Sequence, residues 1–171
     1  MPLFSPLDFE IDKLTNSIEH VQTGRVFETE VTPLTLRAAK NLAAADWQFD
    51  WLREARDRTK RIFQLVTVDE PNVIQGLLSI EDKTDHVFMH LIESARFNKG
   101  PHKLYLGVPG NLVAYACKTS FEAGYEGFLA FDAKTALIPH YEQTLGATRF
   151  RGLRMFIETT AARKLVGQYF G

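Results

Sequence analysis

Residues 105–116 read Tyr-Leu-Gly-Val-Pro-Gly-Asn-Leu-Val-Ala-Tyr-Ala, and 120–127 read Ser-Phe-Glu-Ala-Gly-Tyr-Glu-Gly. Val113, Cys117 and Phe121 recur every four residues, with Leu112, Ala116 and Ser120 beside them, so the spacing predicts an amphipathic helix over 111–123 closed by Gly124. Ahead of it, Gly107 and Gly110 leave the backbone bare of Cβ atoms at a helix start. Such a loop can point N–H groups at an anion, and the helix dipole reinforces the attraction. Two glycines before a helix also make a plain turn, and on these residues both readings stay open. The spacing fits neither G-x-G-x-x-G nor the triphosphate loop that ends in Gly-Lys-Ser/Thr.

Outward from this stretch, Phe128 to Phe131 reads as a short buried strand and Thr135 to Leu145 as a second helix, ended by Gly146. Pro139 falls in its early turns, where a missing N–H costs least. Upstream, Arg61 to Val68, Val73 to Ile80 and His86 to Glu93 are short β-branched or aromatic runs separated by turn-prone residues, and predict consecutive antiparallel strands. Thr35 to about Thr59 predicts one or two helices, interrupted around Asp46. The tail predicts a strand at Arg151 to Glu158 and a short helix around Ala161 to Val166. The opening is ambiguous: Ile11, Leu14 and Ile18 have helical spacing, while Arg25 to Val31 alternates like a strand.

Composition narrows the function classes. At 171 residues and 45% apolar content the chain is expected to form one domain, 1–171. Twenty Lys plus Arg against twenty-one Asp plus Glu give a net charge of −1, which implies no global pull toward nucleic acid or an anionic membrane. Cys117 is the one cysteine, so no intrachain disulfide forms, and no His/Cys/carboxylate set has metal-ligand spacing. With no basic-then-apolar leader and no membrane-length apolar run, a cytoplasmic protein is expected.

The 105–127 stretch resembles the coenzyme A binding motif of the GNAT acyltransferases. Residues 136–147, Ala-Leu-Ile-Pro-His-Tyr-Glu-Gln-Thr-Leu-Gly-Ala, resemble that family's next block, a helix that carries Tyr, then Glu, and closes at Gly. The resemblance covers roughly residues 61–158. There are departures: Tyr105 stands where the family has Gln or Arg, and Val108 stands at its first motif glycine. Gly110 matches the last, Gly107 supplies a glycine one residue off, and Lys103 is the nearest cation. These changes bear on diphosphate affinity more than on the fold.

The resemblance implies an α+β fold, with a mixed, mostly antiparallel sheet, helices on both faces and a splayed strand pair that admits coenzyme A. It implies direct transfer of an acyl group, acetyl first, from acetyl-CoA as co-substrate to a primary amine, in a ternary complex and without a metal. The alternative is a GNAT-like binding or regulatory module with little or no turnover. Gly107, Val108, Pro109, Gly110, Asn111 and Leu112 would hold the cofactor. Tyr141 would protonate the leaving thiolate, or be a buried aromatic. Glu93 would take the amine's proton, or be a solvated strand end, with Glu158, His90 and His140 in reserve. Trp47, Phe49 and Trp51 would line an acceptor pocket or pack the core, and the run Arg53, Arg56, Arg58, Lys60 and Arg61 reads first as a solvated helix face. The expected partner is a small-molecule or peptide amine, with no nucleic acid and no membrane; a homodimer stays open.

Overall fold

The apolar runs between Lys60 and Ser94 cannot satisfy their backbone polar groups singly, and in the computed structural model they pair as an antiparallel meander. The structure describes residues 6–14 and 17–170; residues 1–5, at the head of the stretch read for a leader, lie outside the described residues. In chain order the strands are β1 (Ile18–His20), β2 (Val26–Phe27), β3 (Thr29–Pro33), β4 (Lys60–Thr67), β5 (Gly76–Asp82), β6 (Val87–Ser94), β7 (Tyr105–Leu106), β8 (Leu129–Asp132), β9 (Thr148–Arg151) and β10 (Arg154–Ile157). The α-helices are α1 (Leu36–Lys40), α2 (Trp51–Arg56), α3 (Val108–Glu122), α4 (Ile138–Leu145) and α5 (Thr159–Phe170).

The main sheet has seven strands in the order β3-β4-β5-β6-β8-β10-β9, and a smaller ribbon runs β2-β1-β7. Within the main sheet only β6 and β8 are parallel neighbours. Alternation along the strands splits the core into two layers. Ile62 and Leu77 face Leu34, Ala39 and Trp51 on the side of α1 and α2. Phe63, Leu65, Leu78 and Met89 face Leu112, Val113, Tyr141 and Leu165 on the side of α3, α4 and α5. This is the α+β arrangement expected from the sequence, with helices on both faces.

Two irregularities shape the sheet's centre. Ser79 pairs with Leu91 and Ile80 with Met89, which leaves His90 as an extra, bulged residue. The bulge is why Met89 and Ile92, three positions apart, both reach the α3-side core. Secondly, β6 and β8 pair only at Val87–Leu129 and Phe88–Ala130 and then part. The expected splay is present.

Several boundaries differ from expectation. Helix α3 starts at Val108, ahead of the expected Asn111, because Gly107 takes a left-handed conformation (φ 97°) and Pro109 suits the first turn. The tail strand is a hairpin: Gly152, at φ 56°, turns the chain between β9 and β10. Helix α5 runs to Phe170, and β5 begins only at Gly76, since Val73 still belongs to a turn closed on the Glu70 carbonyl. The opening residues 6–14 contain no helix, so the Ile11–Leu14 spacing was misleading.

Gly76 sets how closely α3 lies on the sheet. A Cβ there would meet Val108 Cγ1 at 2.7 Å and Leu112 Cδ1 at 3.0 Å. Gly76→Ala is therefore expected to destabilise by about 2 kcal/mol in urea titration. Gly167→Ala, in α5 with nothing within 4 Å of the added carbon, is expected to be neutral or stabilising by up to about 1 kcal/mol.

Candidate active site

The splay and the start of α3 lie together because α3 follows β7 directly and packs back across β5 and β6. Val108, Pro109, Gly110, Asn111 and Leu112 are all buried. Asn111 fixes the turn: its amide donates to the carbonyls of Ser17 at 2.7 Å and Gly107 at 3.1 Å, and its side-chain oxygen accepts from Thr29 at 3.4 Å. The position that a side chain at Gly110 would occupy is taken by the hydroxyl of Tyr169, 2.3 Å from an ideal Cβ, and by Leu14 at 3.1 Å. Gly110 therefore serves close packing here.

The loop amides do not open onto an empty cleft. Residues 6–14 lie across it without helix, bridged to the chain beyond β8 at Leu7. Leu7 takes the edge of β8 that the splay leaves without a strand: its N–H donates to the Asp132 carbonyl at 2.7 Å, and its carbonyl accepts from the Lys134 N–H at 2.9 Å. The Ile11 N–H donates to His140 Nε2 at 2.9 Å. Asp12 reaches the mouth of α3, accepting from the Gly107 N–H at 3.0 Å through one oxygen and from Lys103 Nζ at 3.1 Å through the other. A carboxylate there is favoured by the helix dipole.

Tyr141, on α4, is fully buried. Its ring stacks on Phe9 with centroids 4.7 Å apart and meets Phe131 edge-on at 5.4 Å, while its hydroxyl donates to the Phe9 carbonyl at 2.5 Å. Burial, with smaller contributions from the carboxylates of Asp8 and Glu10, holds the phenol above its ordinary range. Tyr141 and the Gly107–Leu112 loop, both singled out from sequence, are thus brought together by one stretch of chain. The sequence reading missed that stretch. Leu7, Phe9 and Ile11 alternate with Asp8, Glu10 and Asp12, a period of two that marks an extended segment and could have shown it.

Glu93 points to the opposite face and is buried, so the solvated strand-end reading fails. Its carboxylate accepts four hydrogen bonds: from the N–H groups of Gln48 (2.7 Å) and Phe49 (3.2 Å), from Trp51 Nε1 (2.8 Å) and from Lys99 Nζ (2.7 Å). An ionised carboxylate has about four lone-pair sites, and all are used. Glu93 is the anchor that ties the turn before α2 to β6. Beside that turn lies a cavity of about 930 Å³, lined among others by Leu34, Leu42, Trp47, Gln64, Ile74 and Phe97. Trp47 is half-buried in its wall, Phe49 is half-buried, and Trp51 is core.

The reserve candidates separate by environment. His90 is half-buried with Nε2 2.7 Å from Glu81 Oε1; burial lowers its pKa, with Glu81 pulling the other way. Glu158 is exposed beyond β10. Burial pushes the Cys117 thiol upward, consistent with inert core. The basic run is not one solvated helix face: Arg53 and Arg56 lie exposed on α2, whereas Lys60 opens β4, half-buried, and pairs with Glu54 at 3.0 Å and Asp57 at 3.6 Å. Among the described residues no group of His, Cys, Asp and Glu could hold a metal ion, and no helix is long and apolar enough to cross a membrane. Glu93→Ala strands the buried Trp51 indole N–H, two backbone N–H groups and a lysine, and is expected to cost about 3 kcal/mol by urea titration.

No family model and no curated protein match the sequence. Solved structures do match. A variant of the toxin AtaT, bound to the C-terminus of the antitoxin AtaR and to acetyl-CoA, aligns at TM-score 0.57 and 17% identity over 82% of this chain and 99% of its own. A KacTA–DNA complex aligns at TM-score 0.57 and 12% identity, over 82% and 99%. A variant of the spermidine N-acetyltransferase SpeG from Vibrio cholerae aligns at TM-score 0.51 and 13% identity, over 79% and 96%. With the strand order, the β6–β8 splay and the α3 start already in place, these alignments show that the chain has the GNAT acetyltransferase fold.

Proposed function

We propose that the chain, acting as one domain in the cytoplasm, is an acyl-CoA dependent N-acyltransferase that moves an acyl group, acetyl in the first instance, from coenzyme A to a primary amine. The observation that carries this reading is the splay of β6 from β8 with the start of α3 at its mouth. It is a slot with backbone hydrogen-bonding edges and an anion-favouring end, suited to an extended, amide-bearing diphosphate. A neighbour of the same fold is bound to acetyl-CoA, which supports the choice of cofactor.

In this reading the Gly107–Leu112 turn and Lys103 receive the diphosphate, and the β8 edge at Asp132 and Lys134 receives the pantetheine amides. Tyr141 lies where the thiol would end and donates its proton as the carbon–sulfur bond of the tetrahedral intermediate breaks. With Asp8 and Glu10 displaced by the cofactor, the phenol loses two of the influences that raise its pKa and becomes a better acid. The amine enters from the cavity beside Trp47 on the α1–α2 side. Glu93, its lone pairs filled, acts as a positioning residue that shapes that cavity, and the amine's proton leaves through the cavity to solvent.

The acceptor class is open among small-molecule and peptide amines. The neighbours include a polyamine acetyltransferase and toxin complexes, some of them with DNA, so the expected absence of a nucleic-acid partner gains no support from them. The second reading, a GNAT-fold module without turnover, is favoured by one observation: Asp12 already holds the Gly107 amide and Lys103.

Thiol release with a broad amine panel separates the two. The transferase reading expects coenzyme A liberation, slowed about a hundredfold in kcat by Tyr141→Phe with little change in the KM for the amine. Acetyl-CoA at about 100 times its Kd is also expected to stabilise the protein by about 2.7 kcal/mol. Stabilisation with no thiol release from any amine would leave the module; neither effect would sink both readings.

A further inference from the structure

Residues 7–12 answer, group for group, the contacts that the proposed function gives to the cofactor. Asp12 puts one carboxylate oxygen on the Gly107 amide and the other on Lys103, the two groups assigned to the diphosphate. The Phe9 carbonyl takes the Tyr141 hydroxyl assigned to the thiolate, and its ring covers the Tyr141 face. Leu7 takes the β8 edge assigned to the pantetheine amides, and Asp8 reaches Lys134 at 2.7 Å.

We infer that residues 6–14 are a built-in occupant of the acyl-CoA cleft, which closes the enzyme to its cofactor and must swing out before acyl-CoA binds. This rests on the proposed function, since it takes the cleft to be a cofactor site. Two observations favour an occupant over a plain piece of core. Its polar contacts at Leu7, Phe9 and Asp12 fall on the groups a cofactor would need, and each of those groups would be satisfied again by that cofactor; the Ile11 bond to His140 has no such counterpart. It carries acidic side chains at Asp8, Glu10 and Asp12, the charge sign of the ligand it would displace.

The consequence is a linked equilibrium. If the segment closes the cleft for most of the time, the apparent Kd for acyl-CoA exceeds the intrinsic one by the inverse of the open fraction. Removing the segment's grip lowers it. The double variant Phe9→Ala/Asp12→Ala, in the full chain, deletes the ring stack and the diphosphate-like carboxylate while leaving every proposed cofactor contact in place.

Titration calorimetry with acetyl-CoA is expected to give an apparent Kd at least tenfold lower for this variant than for the unaltered chain. A second measurement does not depend on how the variant folds. Hydrogen exchange on the unaltered chain is expected to show the segment containing the Leu7 and Ile11 amides exchanging at least tenfold faster when acetyl-CoA is present, because those amides lose Asp132 and His140 as partners. Binding of equal affinity by both proteins, with exchange at residues 7–11 unchanged or slowed by the ligand, would overturn the occupant and leave the cofactor reading intact. Absence of binding to either protein would overturn both. Binding by the variant alone would support the occupant.

Discussion

Strands β6 and β8 run side by side for two residue pairs and then diverge, and from that point every N–H and C=O on their facing edges needs a partner that the sheet does not supply. A buried polar backbone group without one costs about 1–3 kcal/mol, so a splay within a sheet cannot stay empty and dry. Water, a ligand with amides, or another piece of chain can fill it. In this structure part of it is filled by chain: Leu7 continues the β8 edge as a strand would, and the residues after it follow the cleft to the mouth of α3. The arrangement of the loop, of Tyr141 and of residues 6–14 follows from that one demand.

Two buried or nearly buried carboxylates illustrate opposite uses of the same chemistry. Glu93 has four donors converging on it from the turn before α2, from Trp51 and from Lys99, and this closed shell makes it part of the frame. Asp12 has a helix-start amide and one lysine, both groups that another anion could take over. Sharing a residue class does not give two groups a shared role; what decides is whether the donors are committed by the fold or exchangeable. On that criterion Glu93 holds the turn before α2 in the frame, and Asp12 holds groups that another anion could take.

Much of the fold was legible because its elements announce themselves locally. The four-residue recurrence of Val113, Cys117 and Phe121 located α3, and the breaks at Asp69–Asn72 and Glu81–Asp85 separated the meander strands. Gly152, a lone glycine inside an otherwise unbroken β-prone run, was too weak a mark to reveal the β9–β10 hairpin. The site was less legible for a different reason. Tyr141 and the Gly107–Leu112 loop could be picked out by type and order, but their surroundings come from residues about a hundred positions away, and no local pattern reports such a contact. For Glu93 the missing fact was the backbone of Gln48 and Phe49 arriving as donors, which is a tertiary event. The alternation from Leu7 to Asp12 was readable and was masked by the competing Ile11–Leu14–Ile18 spacing.

Tethering explains how so small a set of contacts can hold residues 6–14 in place. The Asp12–Lys103 pair is partly exposed, and pairs of that kind contribute about 0–1 kcal/mol; a typical hydrogen bond adds about 1 kcal/mol. A free peptide with those contacts would not stay bound, because it would lose translational and rotational freedom on binding. A segment joined to the domain has largely met that cost through its linkage and is present at an effective concentration of about the millimolar range. Weak contacts then suffice to close the cleft, and for the same reason they close it shallowly. A soluble ligand with a diphosphate in place of one carboxylate gains more from the start of α3 and from Lys103 than Asp12 does. The balance between a tethered weak anion and a free strong one sets how far the cleft stands open at a given cofactor concentration.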